Sequence, residues 1–507
     1  MTADPDAGFN LARHCLAASA RRLPEKPALL VALDASGTPS ETWTFARLER
    51  AVLKVAGGLA RLGLQRGDRI LLRLGNTSDF PLFFFGAIAG GFVPIPTSTM
   101  LTRAEADVVL ADSGARLVVA RDPDLLPHDA PGVIVLHAAE VADVEHAEPV
   151  GYADTRPDDP AFLVYTSGTS GKPKGVLHAQ RVILGRRPMH AGWYGLKESD
   201  TLLHAGAFNW TYTLGAGLMD PWSLGATSIV YAGDKDPTVW PRLIEAYGAT
   251  LFAAVPSLYR QILKYNEITQ ASFPTLRHGL TAGEALHPML HADWMARTGR
   301  PLFEALGMSE ISTYISSSPE TPTRPGSPGR PQPGRRVAIL PAETGMEPLA
   351  AGETGVIAVH RTDPGLMLGY WMRPEDTAAA FRGDWFITGD LARLDEAGYL
   401  WFEGRSDDLM NTFGYRVAPQ EVEAAIAAHP AVADVAVTDV RVDDMVRIIA
   451  AFVVVHDGMA LAEPELDAWC AERLAAYKRP RRFVMMKALP RTQSGKVIRK
   501  NLSDTIA

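Results

Sequence analysis

The stretch Tyr165-Thr166-Ser167-Gly168-Thr169-Ser170-Gly171-Lys172-Pro173-Lys174-Gly175 directly follows Phe162-Leu163-Val164, an apolar run with the pattern of a buried strand. Its three glycines let a backbone approach an anion closely, and its hydroxyls and two lysines supply donors and positive charge. That combination makes a phosphate cradle. It is not a Walker A loop, because Lys172 is followed by proline and the glycine spacing differs. A plain flexible surface loop would not need two lysines among alternating hydroxyls behind a buried strand.

Outward from this loop, helical and strand patterns alternate. Residues 45–62 carry apolar side chains at helical spacing and end at Gly63, and residues 69–74 and 116–120 read as short strands. Residues 80–95 are strongly apolar, yet Pro81 and Pro94 punctuate them, and the run falls short of the roughly 20 residues a membrane-spanning helix needs. A buried helix stopping at Gly90-Gly91, then a short buried strand, is predicted instead. Strands are expected at 162–165 and 227–231, so this part of the chain reads as α/β layers. Residues 316–334, dense in Pro, Gly and Ser, read as a linker between subdomains. Beyond them, β-patterned segments at 336–340, 355–360 and 399–403 predict a small β-rich subdomain. The C-terminal part reads as a separate unit. It has strand patterns at 435–438, 448–455 and 483–486, and an amphipathic helix over 463–477 with Leu466, Trp469, Cys470 and Leu474 on one side. The polar segment Gly404-Arg405-Ser406-Asp407-Asp408 suits a hinge.

Further blocks follow in order: Thr281-Ala282-Gly283-Glu284-Ala285, Gly307-Met308-Ser309-Glu310, Ile387-Thr388-Gly389-Asp390, the Gly404–Asp408 segment, and Pro490-Arg491-Thr492-Gln493-Ser494-Gly495-Lys496. Together with the phosphate-cradle loop, they resemble the adenylate-forming superfamily of acyl-CoA synthetases, nonribosomal adenylation domains and luciferases. The resemblance covers nearly the whole chain. It implies an α/β fold: a large multi-layer N-terminal AMP-binding domain, residues 1–404, with a β-rich subdomain, and a small mobile α+β C-terminal domain, residues 405–507, hinged near Asp407.

The resemblance also implies roles. Thr166, Ser167, Gly168, Thr169 and Lys172 would contact the phosphates of ATP. Gly283, Glu284 and Ser309 would belong to the same nucleotide site. A carboxylate at Asp390, expected at a strand end, can accept both hydroxyls of a ribose, and the family places the AMP ribose there with help from Arg405. Glu310 corresponds to a carboxylate that holds Mg²⁺, a hard cation suited to oxygen ligands and substrate phosphates. The family often stacks an aromatic residue on adenine where Leu306 stands here. Lys496 resembles the lysine that bridges carboxylate and triphosphate electrostatically as charge develops. The rest of the basic tail, such as Lys478, Arg479 and Arg499, reads as solvated surface. Asp407 resembles the hinge about which the C-terminal domain turns between half-reactions. Gly414 resembles the glycine lining a pantetheine tunnel, and Arg416 an arginine turned toward phosphate. The acyl pocket is expected from Phe208, Trp210, Tyr212 and Gly307.

Composition excludes several classes. With a net charge of −8 there is no basic excess for nucleic acid, and an anionic membrane surface is electrostatically disfavoured. The two cysteines, Cys15 and Cys470, form neither a CxxC pair nor a disulfide framework. His287 and His291 share a helix face but lack the HExxH context of a metal site. Neither a GxSxG nor a GxGxxG motif occurs. The first residues lack a signal peptide's basic and apolar regions, so a cytoplasmic location is expected.

The implied enzyme is an ATP-dependent carboxylic acid–CoA ligase working through an acyl-adenylate, with ATP, Mg²⁺ and coenzyme A as cofactors and a small carboxylic acid as partner. A homodimer stays open. Leu306, the Thr281–Ala285 block and Arg324–Gly334 resemble the benzoate–CoA ligase branch, so benzoate or a substituted benzoate is the expected acid. Asn411 and Gly414-Tyr415-Arg416 look more like medium-chain acyl-CoA synthetases. The alternatives are therefore a medium- or short-chain fatty acyl-CoA synthetase and a stand-alone adenylation enzyme loading a carrier protein. A nucleotide-binding module without turnover is a further class, disfavoured by the intact Lys172, Glu310, Asp390, Arg405 and Lys496.

Overall fold

The computed structural model describes residues 8–128, 132–137, 139–166, 173–405, 410–412, 415–417, 419–441, 447–474, 478–491, 497–499 and 502. By its internal contacts the chain forms two compact units, residues 1–336 with 359–386, and residues 337–358 with 387–507.

The first unit is built on three sheets. The largest has nine strands, and six of its neighbours run parallel: Pro27–Ala32, Thr227–Tyr231, Thr201–His204, Leu251–Ala254, His278–Ala282 and Leu302–Met308. Most residues of these strands are buried, as a parallel sheet covered on both faces requires. Antiparallel edges are added by Glu41–Thr44 on one side and by Ser312–Ser316 and Arg330–Pro331 on the other. A second, parallel sheet holds Val93–Pro96, Arg69–Leu72, Leu117–Val119 and Ile134–Leu136. The third is antiparallel: Pro160–Thr166, Lys174–Ala179 and Gly369–Tyr370.

Helix Phe45–Arg61 follows directly from its sequence. Phe45, Leu48, Val52, Val55 and Leu59 recur at helical spacing and are all fully buried. The Thr44 side chain caps the first turn by accepting from Arg47 N–H at 3.3 Å. It packs on helix Asp79–Ala89, every residue of which is buried. That second helix stops at Gly90-Gly91, where Gly91 adopts φ +81°, and the chain re-enters a sheet at Val93. The 80–95 stretch is thus a core helix and strand. No helix among the described residues is long and apolar enough to cross a membrane.

The segment 316–334 is not an exposed linker. Ser316, Ser317, Ser318, Ser327 and Gln332 are buried, and Arg330–Pro331 returns to pair with Ile315 and Ser316. Gly329 serves close packing: a Cβ on it, at φ +122°, would collide with the Ser316 backbone. Composition marked the turns but gave no sign that the chain folds back onto the sheet.

In the second unit the strands Val337–Leu340, Gly355–His360, Trp385–Leu394 and Leu400–Arg405 form one sheet. A separate three-stranded sheet pairs Val432–Arg441 with Arg447–Val455 and Arg482–Met485. Helices Pro419–Ala427 and Glu463–Arg473 pack with it, burying Val422, Ile426, Leu466 and Cys470. The expected helix over 463–477 is therefore seen to Arg473, and residues 475–477 lie outside the described residues.

Candidate active site

The carboxyl ends of parallel strands are where open α/β sheets bind ligands, because strand-end turns and backbone donors converge there. Here four adjacent strands deliver the candidate residues to one edge. Thr201–His204 leads into Phe208–Tyr212, Leu251–Ala254 into Ser257, His278–Ala282 into Gly283-Glu284, and Leu302–Met308 into Ser309-Glu310.

Each turn is pinned by side chains from elsewhere. Gly283 adopts φ +91°, a conformation that favours glycine. Glu284 accepts from the backbone N–H and the hydroxyl of Ser257, both at 3.2 Å, so it caps helix Pro256–Tyr265. Leu286 N–H donates to Glu304 Oε1 at 2.9 Å. Burial raises the Glu304 carboxyl to a pKa of about 7, with the Leu286 hydrogen bond only partly opposing that. Gly307 sits in a hairpin so tight that a Cβ would lie 2.6 Å from Thr313 Cα. Ser312 closes the hairpin with φ +69°. Its hydroxyl accepts from Arg186, whose guanidinium forms a bidentate pair with Asp220 (2.9 Å and 2.7 Å). Burial alone would raise the Asp220 carboxyl, but the Arg186 charge and hydrogen bonds outweigh it and the pKa is lowered.

Glu310 is buried at 9% exposure, and its Oε1 accepts from the Tyr370 hydroxyl at 2.8 Å. Tyr370 lies on the short strand paired with Val176 and Leu177, in the hairpin that begins at Pro160. That hairpin pairs Thr166 with Lys174, and residues 167–172 between them lie outside the described residues. The phosphate-cradle loop therefore joins two antiparallel strands, unlike a Walker A loop, which leads into a helix. Tyr370 ties this hairpin to the Glu310 turn, and the motif blocks did not reveal it; Gly369-Tyr370-Trp371 after a loop was the available signal. Lys174 Nζ is held by Asp376 at 3.0 Å and lies 5.4 Å from the centre of the Tyr370 ring.

The acyl-pocket candidates are spread out. Phe208 is buried and stacks on Phe80 with ring centres 4.7 Å apart. Tyr212 is buried, donates to Leu280 O at 3.3 Å, and meets His204 edge-on at 4.4 Å. Trp210 remains 39% exposed. A cleft of about 970 Å³ is lined by Leu177, Met367, Tyr370, Trp371 and Phe381 among others, but not by residues 208–212, 283–284 or 307–310.

In the second unit Asp390 is buried at 7% exposure and stands opposite Arg405 in the register of two antiparallel strands. Gly389 at φ +77° and the Thr388 hydroxyl, which accepts from Asp390 N–H at 3.1 Å, shape its backbone. Ser167, Gly168, Thr169, Lys172, Asp407, Gly414 and Lys496, and the side chains of Arg405 and Arg416, lie outside the described residues.

Comparison with known proteins bears on the family and the fold. A benzoate–CoA ligase of Thauera aromatica is 33% identical over 485 residues, covering 91% of this chain and 90% of the relative. A mitochondrial acyl-coenzyme A synthetase (ACSM5) of Mus musculus is 33% identical, covering 93% of this chain and 85% of the relative. The crystal structure of a benzoate CoA ligase from Burkholderia xenovorans superposes with a TM-score of 0.85 at 30% identity, covering 98% of this chain and 100% of that one. The fold is that of the adenylate-forming enzymes. Residues 16–371 match the AMP-binding enzyme family and residues 421–496 its C-terminal domain, and the chain belongs to that family.

Proposed function

We propose that this chain is an AMP-forming acid–CoA ligase whose acid is benzoate or a substituted benzoate. The carboxylate oxygen attacks the α-phosphorus of ATP and expels pyrophosphate, giving an acyl-adenylate. The CoA thiol, losing its proton, then attacks the acyl carbon and expels AMP. The observation that carries this reading is the convergence of Tyr212, Gly283-Glu284 and Gly307–Glu310 at neighbouring strand ends in a chain of the AMP-binding enzyme family.

The residues divide the work as follows. Thr166, Ser167, Gly168, Thr169 and Lys172 hold the triphosphate, with Gly283, Glu284 and Ser309 beside the nucleotide. Asp390 and Arg405 hold the ribose, and Gly414 and Arg416 serve the CoA step. Glu310 would hold Mg²⁺. Among the described residues no group of three or more His, Cys, Asp or Glu forms a metal cage. A single buried carboxylate suits a cation whose remaining ligands are phosphate oxygens and water. Bound there, Mg²⁺ would offset the phosphate charge. Lys496 brings the acid's carboxylate and the triphosphate together against their mutual repulsion. Asp407 is the hinge between residues 1–404 and 405–507. Trp210, Tyr212, Phe208 and Gly307 shape the acyl site. Both cysteines are free, in keeping with a reducing cytoplasm.

The match to a mitochondrial acyl-coenzyme A synthetase at the same 33% identity favours one second reading, a medium-chain acid. The test is pyrophosphate release over benzoate, substituted benzoates, butyrate, hexanoate and octanoate, with and without CoA. Specificity is a ratio of kcat/KM values. Benzoates ahead of every alkanoate, with acyl-CoA and AMP as products, are expected. An alkanoate ahead by tenfold replaces the aromatic reading with the aliphatic one.

A further inference from the structure

Away from the strand ends, a second cavity of about 580 Å³ is lined from helix Leu11–Arg22 on one side and helix Val182–Met189 on the other. Helical spacing explains which residues reach it. Leu11, Leu16 and Ala20 are buried in the core, while Arg13, Ala17 and Arg21 recur every fourth residue along the cavity side of the same helix. Ile183, Arg187 and His190 recur at helical spacing on the other wall. All of these residues belong to the first unit. None of Thr166, Tyr212, Gly283 or Glu310 lines this cavity, so it is separate from the candidate active site.

The lining is cationic. Arg13, Arg21 and Arg187 all contribute to it, and among the described residues none of the three guanidiniums has an ion pair or a hydrogen bond. No Asp or Glu lines the cavity. Two carboxylates stand nearby. Asp154 lies beside Gly8, where a Cβ would be 2.6 Å from its Oδ1, and Asp220 is already paired with Arg186. His14, also in the lining, registers the positive field. Burial, then the charges of Arg187 and His190, hold its pKa down to about 4. The chain as a whole carries a net charge of −8, so this gathering of unpaired cations runs against its overall balance. Like charges collected in a concave site repel one another, and an anion that enters relieves the repulsion.

We propose that this cavity binds a phosphate monoester of a small organic molecule. Guanidinium forks match phosphate oxygens in parallel pairs of charge-assisted hydrogen bonds, which favours phosphate over a spherical anion. A dianion also offsets more of the three arginine charges than chloride or a monocarboxylate does. A bare phosphate leaves much of the cavity unfilled, and Phe9, Ile183 and Leu224 offer apolar surface to an organic remainder. Sugar phosphates and nucleotides share this chemistry.

The test is isothermal titration of the full chain with glucose 6-phosphate, glycerol 3-phosphate, AMP and inorganic phosphate at matched ionic strength. At least one ester should bind more tightly than inorganic phosphate. The double variant Arg13→Gln/Arg187→Gln should weaken that ester by about tenfold or more, because hydrogen bonds to charged groups are among the stronger ones. Ala18→Glu places a carboxylate in the lining from an exposed helical position and should weaken it likewise. Both variants should bind ATP as the wild type does. For AMP only the variant-sensitive binding counts, since the active site takes AMP as well. A sugar phosphate in the lead, or AMP, identifies the source of the ester. Should one variant fail to fold, the other decides. No ester ahead of inorganic phosphate, ester binding unmoved by the variants, or ATP weakened in step with the ester would each overturn the proposal.

Discussion

Arg186→Met should destabilise the first unit severely, and Asp220 is the reason. Asp220 is fully buried, and its carboxylate accepts from Arg186 Nε and Nη2 and from the Tyr194 hydroxyl at 2.9 Å. His190 Nε2 is its nearest other basic group, at 3.5 Å. Methionine fills much of the arginine stem's space but leaves the carboxylate without a countercharge. Breaking one partner out of a buried ion pair costs about 3–5 kcal/mol. The double variant Arg186→Met/Asp220→Asn removes the orphan charge and should recover a large part of that loss. The pH dependence has a definite sign. In the wild type the Asp220 pKa is lowered, so its contribution is present above the unfolded value of 3.8 and lost only as pH falls through the folded value. In Arg186→Met the largest opposing charge is gone, only His190 and the Tyr194 hydroxyl still counter burial, and that pKa rises. The penalty is then full at pH 8 and relieved as pH falls and the group takes up a proton. The stability gap between wild type and variant should therefore narrow between pH 8 and pH 5. Thermal melting at matched pH values, with Asp220→Asn completing a double-mutant cycle, measures all of this. Additive single effects, or a gap that stays constant with pH, would refute the coupling.

Two further predictions follow. Lys496→Ala should slow acyl-adenylate formation by about 10²–10³-fold, the usual cost of one preorganised donor, and affect thioester formation from preformed acyl-adenylate far less; equal losses in the two half-reactions, measured separately, would contradict the role given to Lys496. Glu304→Gln should stabilise the protein at pH 8 by up to about 3 kcal/mol and leave it unchanged near pH 4: the folded pKa of about 7 lies above the unfolded 4.5, so the stability present below 4.5 is lost as pH rises toward 7, and an amide escapes that loss. Melting curves across this range check it.

Much of the architecture was legible because it is written locally. The strands at 227–231 and 355–360 have the bounds that apolar pattern predicted, and the helix beginning at Phe45 is given by the spacing of five buried side chains. The 316–334 segment was misread because burial of its serines depends on a partner strand, and a turn-rich composition looks the same buried or exposed. The aromatic run was legible as a run but not by face. Phe208 joins the Phe80 stack, Tyr212 meets His204, and Trp210 points to solvent. Three residues spaced two apart were sent to different surroundings because the chain turns into a helix at Thr211.

What local reading missed has a common physical form. The Ser309–Ser312 turn is held by Arg186 and Tyr370, which lie far from it in sequence. The Gly283–Leu286 turn is held by Glu304 and by Ser257. The Gly206 turn is held by Asn76, and its own amide fixes the ring of His204. In each case the turn contains glycine or a left-handed residue, and a polar group from another element fixes it. A turn that must meet a charged substrate gains from being set before binding, because reorganisation is then not charged against the reaction. The motif blocks carry the groups that meet substrate. The residues that hold those groups still are scattered singly through the chain, each distinguished only by a contact across the fold, and so they emerge from coordinates rather than from spacing.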